Sequence, residues 1–595
     1  MDGRQPPVSL QTIRLDCLNR ALPAALSALL LAACSDSPEL VCGDPAVAIP
    51  AIQGTQAVSP MLDQQVEIEG VATLNLQGSE SETGGTFLQM AALASGNPDT
   101  DARPDTSEGL LVEGLKLPVG QRYRVRGRVT ESGQGRSTVT ALEPVAHLDC
   151  GSAQLPAPVP VKLPIEGRPI EALEAMRIAV EGPLTVTGSS RMGSSGEIVV
   201  SSGKRLFQPT EVAEPGELAV GLSLSNLRRS LVLDDASLER SPAAVAWWDR
   251  PGALAAGDLL GGALGVVDHR YGYRLHLEGN VGEVRQQGAP AAPAPAGNLR
   301  VVGFNVLNYF NGDGSGGGFP TRRGAATARE FERQEAKIVA AMVALQSEVF
   351  ALSELENDGS GPDSAVTRLA SALARASGRP YRAVSVDEPQ PDDDSIAVGI
   401  IYDAEAVSAV GPSLHLRDYP FDHYNRPPLA QAFRHDASGQ EFSVVVVHFK
   451  SKGCGETDSE NADQGDGQGC WNRKRVEASR ALTQWLMAEL DPAAAVVVGD
   501  FNAYSREDPL GVMEARGFLR LLDRQTPAYS YVFRGRSGLL DHGFAGGLMA
   551  RQLALATVWH INADYADLLD YRSSNDPGPV RSSDHDPIVF DFQLD

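Results

Sequence analysis

Through residues 42–152 apolar and polar positions alternate in short runs, "QQVEIEGVATL", "GTFLQM", "GLLVEG" and "QRYRVRGRVTES", set apart by glycines and other turn formers. A two-residue period puts every second side chain on one face, so these runs predict half-buried strands that close as a small antiparallel barrel or sandwich. Residues 155–284 carry the same texture in "EAMRIAVEGPLTVTG", "GEIVVSSGKRLFQPT", "RSLVLDD" and "LLGGALGVVDHRYGYRLHLEG". Within it "MRIAVEG" echoes "QQVEIEG", which predicts a second, related β domain. Residues 285–297 are rich in Pro and Ala, a composition that forms extended, poorly packed spacers. From 298 to 595 the pattern changes. Apolar strands such as "LRVVGFNVLN" and "VFALSELEN" alternate with helical spacing, as in "TAREFERQEAKIVAAMVAL", and the order runs on to "DPIVFDFQ". That alternation predicts one large layered α/β domain.

Length agrees with several cores, since 595 residues exceed what one core supports. The 60 Gly and 39 Pro favour turns and sheets. A net charge of −25 argues against general coating of nucleic acid or acidic lipid, so any polyanion site must be locally basic.

The first 34 residues read as a processing signal. Arg4, Arg14 and Arg20 precede the apolar run "ALPAALSALLLAAC", too short to span a bilayer comfortably. Its end, Leu31-Ala32-Ala33-Cys34, resembles the lipobox of bacterial lipoproteins, which implies lipidation of Cys34 and an outer-membrane, cell-surface, periplasmic or secreted location. With Cys17 and Cys34 set aside, Cys42, Cys150, Cys454 and Cys470 remain, an even number suited to an oxidising compartment. Three pairings are possible; the domain-wise one, Cys42 with Cys150 and Cys454 with Cys470, is favoured.

In the last domain polar residues recur where strands end: Asn305, Glu354, His448, Asp500 with Asn502, Asp541-His542, and Asp584-His585. A single polar strand end is ordinary, but six of them can converge on one crevice. Carboxylates and amide oxygens are hard ligands that suit Mg²⁺ or Mn²⁺, and the set fits metal-assisted phosphoester hydrolysis. The five acids between Cys454 and Cys470 suggest a structural Ca²⁺. Arg322-Arg323, Lys450 with Lys452, Arg473-Lys474-Arg475 and Arg534 with Arg536 form basic islands near these motifs and point to a polyanion such as DNA or RNA.

The ordered set "FNVLN", "ALSELEN", "NRPPLAQAF", "VVHFKSKG", "GDFNAYSRED", "LLDHGFA" and "SSDHDPIVFDF" resembles the endonuclease/exonuclease/phosphatase superfamily, the deoxyribonuclease I-like fold. It is most similar to the branch of large secreted bacterial extracellular nucleases. The resemblance implies two N-terminal OB-like domains followed by a four-layered α/β sandwich. OB barrels often bind single strands on aromatic platforms, and here Phe87 and Tyr123 are among the few aromatics, so a spacer or docking role is an equal expectation.

Position by position, the resemblance implies Glu354 as principal metal ligand, with Asn305 beside it and Asp584 completing the metal environment. His585 would contact the scissile phosphate, oriented by Asp541. Asp500 would activate or align water, and Asn502 would hydrogen-bond water or phosphate oxygen. His448 corresponds to a second nuclease histidine, with Asp394 as the expected partner or else a turn residue, and Arg426 to a phosphate-contacting arginine. Ser353 departs from the usual neighbour of the metal-binding Glu, His542 is a structural or surface histidine, and Glu356 is placed to assist the metal. The expected activity is a metal-dependent nuclease; the alternatives are a phosphoesterase acting on phospholipid or inositol phosphate, or a surface protein that binds without catalysis.

Overall fold

The computed structural model describes residues 39–78, 84–90, 103–135, 137–241, 244–386, 395–455, 457–522 and 527–595. The signal segment 1–34 with Cys34, together with Asp394 and Glu456, lies outside the described residues.

Five strands, β1 (Gln65–Leu76), β2 (Gly85–Gln89), β3 (Gly109–Glu113), β4 (Gln121–Gln134) and β5 (Ser137–Ser152), close into a barrel in the order β1-β2-β3-β5-β4. The alternating residues Ile68, Leu88, Val112, Val125, Val129 and Leu142 point inward and are buried. At about 1.5–3 kcal/mol for each large aliphatic side chain, this burial is what closes so small a ring. A disulfide joins Cys42 to Cys150 on β5. Phe87 and Tyr123 are 0% and 3% exposed, so neither offers the stacking platform considered from sequence.

The second domain contains β6 (Val159–Val161), β7 (Arg177–Arg191), β8 (Glu197–Ser202), β9 (Ser230–Asp234), β10 (Leu259–Asp268), β11 (Arg274–Leu277) and β12 (Val284–Arg285). A pairing of β7 with β10 closes the ring β7-β8-β9-β11-β10, leaving β6 and β12 outside it. This repeats the first barrel strand for strand, including one parallel pair between the third and fifth strands, β3 with β5 and β9 with β11. The echo in the sequence falls on the first strand of each ring. There Gly182 lies so close to β10 that a Cβ would meet Gly261 O at 2.3 Å. The second ring differs in carrying the helix Glu217–Arg229 between β8 and β9.

The Pro/Ala segment after β12 is extended and mostly exposed, as its composition predicts, yet it is pinned and not loose. Pro290 O accepts from Trp559 Nε1, Pro293 O from Arg300, and Ala296 N donates to Asp591.

The remaining strands form two six-stranded sheets. One runs β15 (Tyr381–Ala383), β16 (Ile396–Asp403), β14 (Val349–Glu356), β13 (Leu299–Tyr309), β26 (Ile588–Phe592) and β25 (Leu553–Val558). The other runs β17 (Val407–His415), β18 (Arg426–His435), β19 (Glu441–His448), β20 (Ala495–Asp500), β24 (Asp541–Ala545) and β21 (Leu519–Arg520). A small hairpin, β22 (Tyr531–Phe533) with β23 (Arg536–Gly538), stands apart. The inner faces meet in one core that includes Val301, Ala351, Ile400, Val444, Val498 and Phe590. Helices Ala328–Leu345 and Ala365–Ser377 cover the outer face of the first sheet. Asn472–Glu489 and Asp508–Ala515 cover that of the second. The result is an α/β/β/α stack. Both faces of each sheet are covered, which is why "AVVVGD" is an unbroken buried run. Among the described residues no helix is long and apolar enough to cross a membrane.

Candidate active site

Strand register assembles the site. Across the second sheet Arg426 pairs with His448, His448 with Asp500, and Asp500 with Asp541, so four polar residues stand in one row at the ends of four adjacent strands. In the first sheet β13 and β14 run parallel, with Asn305 opposite Ser353 and Glu354 next to it. The turn into β26 brings Asp584 and His585 to the same end of the stack, where Ser583 Oγ donates to Asn305 O at 2.7 Å.

Glu354 occupies a register shift between β14 and β16 with φ of 63°, a conformation costly for a side chain with a Cβ. Its carboxylate accepts from Asn305 Nδ2 at 3.0 Å and from Asn308 N at 3.1 Å. Burial first, and then the charge of Asp584, push its pKa up. Asp584 Oδ1 is buried without a hydrogen-bond partner among the described residues. Two acids, one of which raises the other's cost of ionisation and carries an unsatisfied buried oxygen, could hold a cation. Hard oxygens from Glu354, Asp584 and Asn305 suit Mg²⁺ or Mn²⁺.

His585 Nδ1 lies 2.7 Å from Asp541 Oδ2, which also accepts from Ser530 Oγ at 2.6 Å. Burial disfavours the imidazolium, but Asp541, Asp500 and Asp584 outweigh it and hold the pKa well above the ordinary value. The Tyr531 ring packs 4.6 Å from that imidazole. Ligand atoms of Asp500, Asp541 and His585 lie within 4.8 Å of one another. With Nδ1 of His585 bonded to Asp541 and the neighbouring carboxylates favouring its charged form, this trio reads as a charge network and not as a metal cage.

Asp500 Oδ1 accepts from Asn502 N at 2.8 Å, and Asn502 Nδ2 donates to Phe449 O at 3.0 Å. Burial, and then Asp541, raise the Asp500 pKa. His448 Nε2 stands 3.6 Å from Asp500 Oδ2, beyond a good hydrogen bond. Burial and the neighbouring Arg426 keep its imidazole neutral. Arg426 donates to Phe449 O at 3.3 Å.

The structure corrects some expectations from sequence and meets others, the structural reading of His542 and the Cys454–Cys470 pairing among them. Lys452 is tied to Glu507 and Gln468 O, and Arg475 is wholly buried, donating to three backbone carbonyls, so both are structural cations and not phosphate contacts. His542 is buried, with Nε2 against Ala503 O. Glu356 accepts from Asn311 N and stays outside the Glu354–Asp584 pair. The Cys454–Cys470 disulfide is present; within its loop Asp458, Asp463 and Asp466 each accept from nearby backbone amides, the bonding of turns.

Sequence reasoning missed the support that the second barrel gives this site. Its Glu211 accepts from Ser505 N, Ser505 Oγ and Leu539 N, tying the loop after Asn502 to the segment before Asp541. Arg205 grips Asp564, and Gly193 N and Ser194 N donate to Asp567. No local pattern marks such residues, whose partners lie 294 to 374 positions away.

No family model matches the sequence, and no curated protein matches it. Solved structures similar to the chain include the human Nocturnin catalytic domain with bound sulfate, 18% identical over 50% of this chain and 93% of that one, TM-score 0.32. An endonuclease/exonuclease/phosphatase from Bacteroides vulgatus is 13% identical over 50% and 99%, TM-score 0.33. D. rerio TDP2 with a single-strand DNA product is 16% identical over 50% and 99%, TM-score 0.30. Likenesses of this depth leave the reading of the site to its own geometry.

Proposed function

We propose that this chain is a divalent-metal-dependent phosphodiesterase that hydrolyses the backbone of DNA or RNA with little sequence preference. The observation that carries the proposal is the registered row Arg426, His448, Asp500 and Asp541 facing Glu354, Asn305 and the unpartnered Oδ1 of Asp584. Glu354, Asn305 and Asp584 would hold Mg²⁺ or Mn²⁺, which when bound supplies a charge sink for phosphate oxygens. Asp541 fixes the His585 imidazolium so that its Nε2–H is available to a phosphate oxygen. Asp500, with its raised pKa, takes a proton from water more readily than an exposed carboxylate would. Arg426 adds fixed positive charge at the end of the row.

The shared ring order supports reading both barrels as OB-like. The two disulfides support export, with residues 1–34 as the signal and Cys34 as the anchor point. Parallel assays of the full chain on a polynucleotide, a phosphate monoester and phosphatidylcholine test the class: cleavage confined to the polynucleotide is the expected result, and faster release from the lipid would displace it.

A further inference from the structure

Beside the catalytic row, an open cavity of about 590 Å³ is lined by Tyr424, Thr457, Asp458, Asn461, Trp471 and Lys474. That volume lies within the range of about 300–1,000 Å³ typical of small-ligand sites. Its chemistry is unlike that of the catalytic cleft. Tyr424 and Trp471 pack at 4.7 Å between ring centroids, and His423 packs on Tyr424 at 3.9 Å. Lys450 Nζ stands 5.2 Å from the Trp471 ring centre, and Lys474 Nζ 4.2 Å from that of Tyr419. Tyr424 is 42% exposed although the Trp471 and His423 rings both pack on it.

Two further observations point to a ligand. Asn461 is 8% exposed and lines the cavity, and its Oδ1 is buried with no hydrogen-bond partner among the described residues. Tyr424 and Trp471 both have φ in the left-handed region, 72° and 65°, where large side chains are rare and strain gathers at functional positions.

We infer that this cavity is a base-binding subsite: an unpaired nucleobase of the strand being cleaved stacks on Tyr424 beside Trp471. An aromatic face accepts any base, and an acceptor pair, Asn461 Oδ1 and the Asp458 carboxylate, meets the N–H groups that every base carries on its pairing edge. The same acceptors disfavour a phosphate in the cavity itself. Phosphates of the strand fall instead to Lys450 and to Arg426, which stand two residues beyond the catalytic His448 and beyond Tyr424 respectively. Thus the subsite selects a single-stranded or locally opened polynucleotide. It rests on the phosphodiesterase reading only for the position of the scissile bond.

Binding without turnover tests it. Fluorescence anisotropy of a labelled ten-nucleotide deoxycytidine strand, and of an abasic strand of equal length, is measured with the full chain in EDTA. Wild type is expected to bind the base-bearing strand about tenfold tighter. Tyr424→Ala should erase that difference, and Tyr424→Phe should restore it. Equal affinity of wild type for both strands would overturn the proposal, as would a difference that survives Tyr424→Ala. Binding to phosphatidylglycerol vesicles that depends on Tyr424, without base-dependent binding of DNA, would overturn it in favour of lipid. Absence of any diester hydrolysis by wild type would remove the catalytic reading and leave this binding result standing.

Discussion

The first barrel meets the second through Leu74, Phe87, Leu111 and Val139 packed against Ala175, Ala236 and Val266, with one buried carboxyl, Glu174, accepting from Thr140 N. The second barrel meets the catalytic domain through a different seam, made of the Arg205–Asp564 ion pair, backbone bonds between residues 206–208 and Ser537, and the buried Glu211. Both seams mix apolar packing with hydrogen bonds, Arg177 N to Gln89 Oε1 and Gln77 N to Ala236 O in the first and Ala566 in the second barrel's core, but they differ in what they reach. The first seam joins barrel to barrel and touches none of the catalytic loops. The second seam, through Glu211, fixes the loops that carry Asp500, Asn502 and Asp541.

The contrast is tested most strongly at Glu211. Glu211→Ala leaves two buried amides and a hydroxyl without their acceptor and frees the loop beyond Asn502. It is expected to lower kcat about 100-fold, the effect of a misplacement of about 1 Å, with a smaller change in KM. Glu211→Gln keeps one acceptor oxygen and should recover part of that loss. Steady-state kinetics that leave kcat unchanged in Glu211→Ala would erase the distinction between the seams.

Next in size is the disulfide of the first barrel, which closes a loop with sequence separation 108. Replacing Cys42 and Cys150 by Ser should cost about 3–5 kcal/mol of first-barrel stability in denaturant titration. The rate of diester hydrolysis should stay within about twofold, because that barrel's seam does not reach the catalytic loops.

The smallest effect, when read only between pH 7 and 9, is on pH dependence. Burial, and then Glu171, raise the Glu174 pKa from 4.5 to about 9, and burial raises that of Glu211 to about 7. A carboxyl with a raised folded-state pKa contributes stability that is complete below pH 4.5 and is lost as pH climbs to the folded value, by up to about 1.4 kcal/mol per unit. The Glu211 contribution is therefore lost by about pH 7 and that of Glu174 by about pH 9. Glu174→Gln should flatten the fall in Tm between pH 7 and 9, whereas Glu211→Gln should act only below 7.

How much of this the sequence made legible follows from the range of the interactions. Strand alternation foretold two β domains and the layered domain, because a two-residue period and a run such as "AVVVGD" report burial locally, but it left barrel and sandwich open. The row from His448 to Asp541 was legible as a set of strand ends, because polar residues mark where burial stops, whereas Arg426 was read only from the resemblance. Cations were misread: a sequence shows the charge of Lys452 and Arg475 but not Glu507 or the carbonyls that consume it. Glu211, Ser530 and Tyr531 were invisible for a related reason. Each acts through a contact that only the assembled strands create, as when Ser530 Oγ donates to the Asp541 that holds His585.

Cleavage of closed circular DNA by the full chain, with Mg²⁺ or Mn²⁺ added and then chelated, tests the catalytic centre most directly when wild type is run beside Asp500→Asn and His585→Ala. Nicking by wild type that stops on chelation and returns with metal, and a loss of about 10³-fold in each variant, is the predicted result. Undiminished nicking in EDTA, or equal rates in either variant, would contradict a metal-dependent centre built on Glu354, Asp500, Asp584 and His585.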